Sequence, residues 1–545
     1  MTAQNSILPD WHTLKSISVM SWLIILALPF INLITILILR NHAGPFWMWS
    51  NLDPDYFYVL DSLNMINLNW PGVYHHPGTP VQLFGAIAIK IAHPLTSSKE
   101  LTQLVLQNPE YYLGIIHASL VVLNTLAMVF AGVCAHVVFG GYLAALFIQF
   151  GPFISKLCIK WMTHVAPEPM LISTVLVLGG VALLALRPGQ LEHHKTRYAV
   201  VFGFIAGFGM AIKITSIGIY FLPFFILYNF RYLAIYGLTT GLSIFIFTLP
   251  AIGNYGDFIA HIQNISVGNP ELGTVIKPFI VVPEYLHQIK RVSSRPAIFM
   301  VFFFGLLTTI YFSICAKIDK IEVSSKVKLI AGICLADVVQ VLVVAKHPSG
   351  HYMVPVLALS TLGIALLYQI WMDRCRIIGS NGLSLKIFFI VLFIALVGVQ
   401  TNAGIKLDTQ FKLRVANTLL YDDTRFNQCA RIYFWAAATP SYPLQIGDDM
   451  AGHNFTEQLS QIRPKNDFWY EVARKEFRDW KGIRDAKEIA ASYPCIYIRG
   501  SYPAFMREAL KLQLPAYTFN EACSTQNKNE TIFTSGVDCM GKLEK

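Results

Sequence analysis

Long apolar runs separated by short polar stretches fill the chain up to about residue 402. Eleven runs reach or approach the roughly 20 residues that carry a helix across a bilayer: about 17–39, 113–136, 140–157, 167–187, 198–212, 214–228, 232–252, 296–316, 327–345, 351–371 and 384–402. The short runs 198–212 and 214–228 are nearly continuous; they read as a tight hairpin with Lys213 at its tip, or as one bent element. Amphipathic stretches at 55–68 and 79–94 suit helices lying in the membrane interface. The pattern predicts an α-helical polytopic membrane domain over residues 1–402.

Beyond 402 the pattern changes. Apolar or aromatic runs at 431–437, 495–499 and 516–519 predict strands, and charged amphipathic segments at 467–480, 484–491 and 503–512 predict helices. Residues 403–545 therefore read as a small soluble α/β domain.

The first run is too long for a signal core and is followed by Arg40 and Asn41, so it is expected to stay as a helix with its N-terminus inside. The inside loops then carry Arg187, Lys195, Arg197, Arg231, Lys317, Lys320, Lys326, Lys328, Arg374, Arg376 and Lys386, in keeping with the positive-inside rule. Segments 40–112, 158–166 and 253–295, the turn at 346–350 and the C-terminal domain fall outside, on a periplasmic or lumenal face.

Composition supports this picture. The chain is 54% hydrophobic and 14% charged, against about one quarter charged for a soluble domain. Of its net charge of +10, only +2 belongs to residues 403–545. The rest lies in the membrane part, which suits basic loops at a lipid surface and argues against a nucleic-acid patch. Cys429, Cys495, Cys523 and Cys539 all fall in the C-terminal domain, an even number that fits two disulfides in an oxidising compartment, with three pairings open.

The candidate chemistry gathers on the outer side. The first outer loop reads Asp53-Pro54-Asp55-Tyr56-Phe57-Tyr58, then Tyr74-His75-His76-Pro77. Paired carboxylates there suit a general base or a divalent metal; the plainer reading is a turn in which Asp55 caps the following helix. Glu168 opens a later span behind Pro167, where an acid also suits the helix dipole. Lys213 splits two apolar runs and must face the outer surface or a polar cavity. Arg291 and Arg295, in an outer loop richer in cations than the rule expects, suit an anionic ligand. Lys346, His347, His351 and Tyr352 crowd one short turn and read as a polar-headgroup site.

With these residues assembled, the chain resembles the GT-C superfamily of polytopic glycosyltransferases, which use polyprenyl-phosphate sugars. The resemblance covers roughly residues 15–400. It rests on the acidic first-loop motif at Asp53–Tyr58, the segment His76-Pro77-Gly78-Thr79-Pro80, Glu168, the lysine ending Gly207–Lys213, and the His347-x-x-x-His351-Tyr352 turn before Pro355. The Trp-Trp-Asp motif of oligosaccharyltransferase catalytic subunits is absent. The resemblance implies a polyprenyl-phosphate-linked sugar as donor and a glycan, lipid or protein as acceptor. It also implies usual inversion at the anomeric carbon and a first-loop acid as base. Asp-x-x-Tyr patterns favour Asp53 and the Asp-Tyr-Phe-Tyr spacing favours Asp55. Tyr56, His75, His76, Lys213, Arg291, Arg295, Lys346, His347, His351 and Tyr352 form the expected substrate and phosphate set. A metal would need a third oxygen ligand, and only Glu168 suggests itself, so no cofactor is assigned. The rival classes are a transporter or flippase for a lipid-linked anion, which usually shows repeated halves absent here, and a non-catalytic membrane subunit.

Overall fold

The structure is a computed structural model. It describes residues 7–8, 11–49, 55–73, 78–267, 280–419, 423–471, 474–524, 530–539 and 541–543. Among these, eight helices are long and apolar enough to cross a membrane: Val19–His42, Pro109–Phe139, Pro167–Leu184, Phe230–Ala260, Pro296–Asp319, Ser325–Lys346, Gly350–Ile377 and Leu383–Thr418. The chain is thus an integral, multi-pass membrane protein. Pro167–Leu184 and Gly350–Ile377 are buried on almost every side and form the centre of the bundle. Leu383–Thr418 exposes apolar residues nearly all round, as a lipid-facing helix does.

Three of the eleven expected runs take another form. The run 140–157 breaks into Tyr142–Gln149, a 3-10 turn Gly151–Phe153 and a short rim helix Lys156–Trp161. Pro152, without an N–H, falls in the break. Gln149 has a compensating task. Pro29 inside the first span offers no donor to the Ile25 carbonyl, and Gln149 Nε2 donates to that oxygen at 2.8 Å. The run 198–212 ends the helix Gln190–Ile212, whose first half is charged. Lys213 then adopts an extended backbone, and the run 214–228 continues as a 3-10 helix Ile214–Phe221 and one turn Phe224–Leu227. The hairpin with Lys213 at its tip is present, but its second arm is not an α-helix.

The basic loops meet at one end of the bundle. Lys195 and Lys328 both lie over the Tyr228 ring, and Lys326 pairs with Asp373. Glu168, Lys213 and His351 meet at the other end.

The last span does not stop at residue 402. Its helix continues unbroken to Leu419, and the sheet domain begins after it, with β1 at Ala430–Tyr433. Seven strands follow the order β4-β3-β2-β1-β5-β7-β6. They are β2 Asp467–Glu471, β3 Glu476–Asp479, β4 Gly482–Arg484, β5 Ile496–Gly500, β6 Asn520–Ser524 and β7 Thr531–Ser535, with β1 as first. β1 runs parallel to β2 and β5, and the outer pairs are antiparallel. Segment 467–480, expected as a helix, is the β2–β3 hairpin: Phe468, Tyr470 and Phe477 alternate into the core. The expected strand 516–519 lies one step later, at β6.

Ala430 pairs with Ile496, so the residues just before them, Cys429 and Cys495, are neighbours in register and form a disulfide. Cys539 is also disulfide-bonded. The sheet domain rests on the rim helix Tyr56–Ile66. Asn64 Nδ2 donates to the Ala451 carbonyl, and a Cβ at Gly447 would meet Leu60 Cδ1 at 2.7 Å, so the domain's helix Tyr442–Met450 touches the rim helix at that glycine.

Candidate active site

Asp55 stands at the N-cap position of Tyr56–Ile66, yet its side chain makes no capping bond. The buried carboxylate crosses instead to the loop before Pro167–Leu184. Val165 N–H donates to Oδ1 at 2.5 Å, and His164 Nδ1 lies 3.1 Å from Oδ2. With Asp55 fixing Nδ1 as the donor, His164 keeps its Nε2 lone pair without a partner. Burial pushes the His164 imidazolium below its usual range, against the raising effect of Asp55. Asp53, His75 and His76 lie outside the described residues.

Tyr56 is buried, and its hydroxyl donates to Glu110 Oε1 at 2.7 Å. Glu110 also accepts from the Phe46 and Trp47 amides. Burial, then the Glu110 charge, holds the Tyr56 phenol well above its usual range. The hydroxyl is spent on tying the first loop to the span Pro109–Phe139.

Glu168 occupies the first turn of its helix, but a dipole contact does not exhaust its role. Lys213 Nζ donates to Oε1 at 2.7 Å, and His351 Nε2 lies 4.0 Å from the same oxygen. Lys213 also sits 4.7 Å from the centre of the Tyr352 ring. His351 is held by Ser349 through Nδ1 at 2.9 Å and packs against Trp161. Trp161 also packs against His164, so one indole touches both the Asp55–His164 pair and the Glu168–Lys213–His351 cluster.

A cavity of about 450 Å³ lies beside the first of these groups, walled by Trp49, whose ring packs against His164. Its lining includes Lys156, Lys160, Arg295 and Arg414, with Trp49 and Gln410, and no acid among the described residues. Lys160 and Arg414 lie over the Trp49 ring, at 4.2 and 4.5 Å, and the same ring lies 4.2 Å from His164. Burial, then the charges of Arg414 and Lys156, pushes the Lys160 ammonium down to about 8. Among the described residues, Arg295 Nε and Arg414 Nη1 have no partner. Gly350 makes room for this set, since a Cβ there would stand 3.3 Å from Arg295 Nη2.

Of the expected phosphate set, Arg295 lines this cavity, while Lys213, His351 and Tyr352 surround Glu168. His347 packs near Tyr352, at 6.1 Å between rings. Lys346 ends the helix Ser325–Lys346, and Arg291 is spent on the Pro348 carbonyl. Sequence reading missed Lys156, Lys160, Trp49 and Arg414. The i,i+4 spacing of the two lysines was a signal, because it puts both on one helix face. Among the described residues no three His, Cys, Asp or Glu side chains converge as metal ligands. Asp55 and Glu168 are each already engaged.

No family model and no curated protein matches the chain. Among solved structures it is similar to ArnT from Cupriavidus metallidurans bound to undecaprenyl phosphate, at 10% identity over 95% of this chain and 98% of that one, with a TM-score of 0.41. It is also similar to the Archaeoglobus fulgidus oligosaccharyltransferase in complex with zinc and sulfate, at 11% identity over 82% of this chain and 68% of that one, with a TM-score of 0.37. The apo form of that protein gives 14% identity, 91% and 73% coverage, and a TM-score of 0.38.

Proposed function

We propose that the chain is a membrane glycosyltransferase of GT-C type, moving a sugar from a polyprenyl-phosphate donor to a glycan, lipid or protein acceptor with inversion at the anomeric carbon. The observation that carries this reading is the cavity lined by four cations and, among the described residues, by no acid, walled by the same Trp49 that touches His164. Gathering four positive groups around one cavity at a membrane rim is costly unless an anion joins them. A lipid phosphate supplies that anion, and the same groups stabilise it as the leaving group.

In this reading the acceptor oxygen attacks the anomeric carbon as the bond to the phosphate oxygen breaks. The electron pair leaves on the lipid phosphate, beside Lys156, Lys160, Arg295 and Arg414. The acceptor proton passes to a first-loop carboxylate. Both oxygens of Asp55 already accept from Val165 and His164, which suits a residue that orients that loop and favours Asp53 as the base. Lys213 and His351 hold the Glu168 carboxyl in place beside the donor.

The reaction face is the outer one, as the basic loops at the opposite end suggest. The test is sugar transfer from a synthetic polyprenyl-phosphate sugar by the purified chain in nanodiscs, with Lys160→Ala and Arg414→Ala as variants. Donor-dependent transfer that weakens in both supports the reading. Donor binding unchanged in both would remove the phosphate from this cavity. Labelling of engineered cysteines in residues 423–543 from the cytoplasmic side only would reverse the face.

A further inference from the structure

A second polar cavity, of about 270 Å³, lies in the sheet domain between the helix Thr456–Ile462, strands β2–β4 and the helix Ala486–Ser492. We propose that it binds an anionic saccharide, which on the reading above is the acceptor glycan.

The cavity is small, near the lower end of small-molecule sites. Phe468, Trp480 and Tyr493 supply aromatic surface. Trp480 is buried, so its ring serves as a wall of the cavity and not as a donor into it.

The charges point to an anion. Asp467 is committed to Arg431 and Ser441. Asp479 is committed to Arg484 and to the Lys481 amide. The ammonium groups of Lys465 and Lys481 make no ion pair or side-chain hydrogen bond among the described residues. Against these two cations stands one uncommitted acid, Glu488. A neutral sugar leaves that excess unanswered, and a bare phosphate makes no use of the aromatic surface.

Position ties the cavity to the membrane domain. Arg463, at its rim, donates through Nη2 to the Leu106 carbonyl, and its charge acts on Tyr56, the residue after Asp55. A glycan seated here would lie beside the first loop.

The test is titration calorimetry on the full chain in detergent, without donor. The probes are a galacturonic acid oligomer, the neutral galactose oligomer of equal length, and inorganic phosphate. The charged oligomer should bind about tenfold or more tightly than either control, and Lys465→Ala with Lys481→Ala should cost about tenfold, as expected for lost charge-assisted bonds. Both lysines are exposed, so the double variant should fold; an unchanged melting temperature checks this, and Lys465→Glu is the second variant if it does not. Binding unchanged by either variant, phosphate binding as tightly as the charged oligomer, or no saccharide binding by the native chain would each overturn the proposal. Because no turnover is measured, these outcomes stand apart from failure of the transferase reading.

Discussion

Lys213 Nζ donates to Glu168 Oε1 at 2.7 Å, with both side chains buried at the rim of the bundle. The two residues are 45 positions apart and belong to different helix ends. Neither charge is tolerable there alone, so each explains the other's burial.

Breaking this pair should therefore cost more than deleting it. Lys213→Met strands a buried carboxylate and should destabilise by about 3–5 kcal/mol, whereas Glu168→Gln with Lys213→Met should recover much of that loss. Thermal unfolding in detergent reads both. Equal destabilisation by the single and double variants would mean the pair is not coupled.

The cationic cavity carries a pH signature. Lys160 is pushed down to about 8, chiefly by burial and then by Arg414 and Lys156. It is charged below that pH and neutral above it. Donor KM should be flat below about pH 8 and rise above it, while Lys160→Arg, which stays charged, should flatten the rise. A rise that persists unchanged in Lys160→Arg would assign it to another group.

Asp53 and Asp55 should separate kinetically. Asp53→Asn should lower turnover by roughly 100-fold or more with donor binding retained. Asp55→Asn keeps an acceptor for the Val165 amide but loses the charge facing His164. It should cost about 1–3 kcal/mol of stability and a smaller part of the rate. Near-normal turnover in the double variant would end the first-loop mechanism.

Non-reducing peptide mapping should recover Cys429 linked to Cys495. They are 66 positions apart, so their joint replacement by Ala should lower the sheet domain's stability by about 4 kcal/mol on the chain-entropy model. A free Cys429 thiol in protein from its native compartment would contradict the oxidising face.

Hydropathy alone made the membrane domain legible, because spanning a bilayer demands runs of apolar residues whatever their partners. The hairpin tip at Lys213 was equally legible, since an isolated lysine between apolar runs has to leave the lipid. The same signal overcounted α-helical spans at 140–157 and 214–228, where burial inside the bundle lets the chain break into short turns. The 467–480 hairpin was misread because its charged residues mimic a helical period, while the pairing that makes it a sheet is with β1, more than thirty residues away. The sequence marked Asp55, Glu168, Lys213, Arg295 and His351 as ionisable groups needing a reason. It did not tell that Asp55 reaches Val165 rather than its own helix, or that Lys160 and Arg414 meet across Trp49. Those contacts join residues more than a hundred positions apart, and only the packing of the helices brings them within a few ångströms.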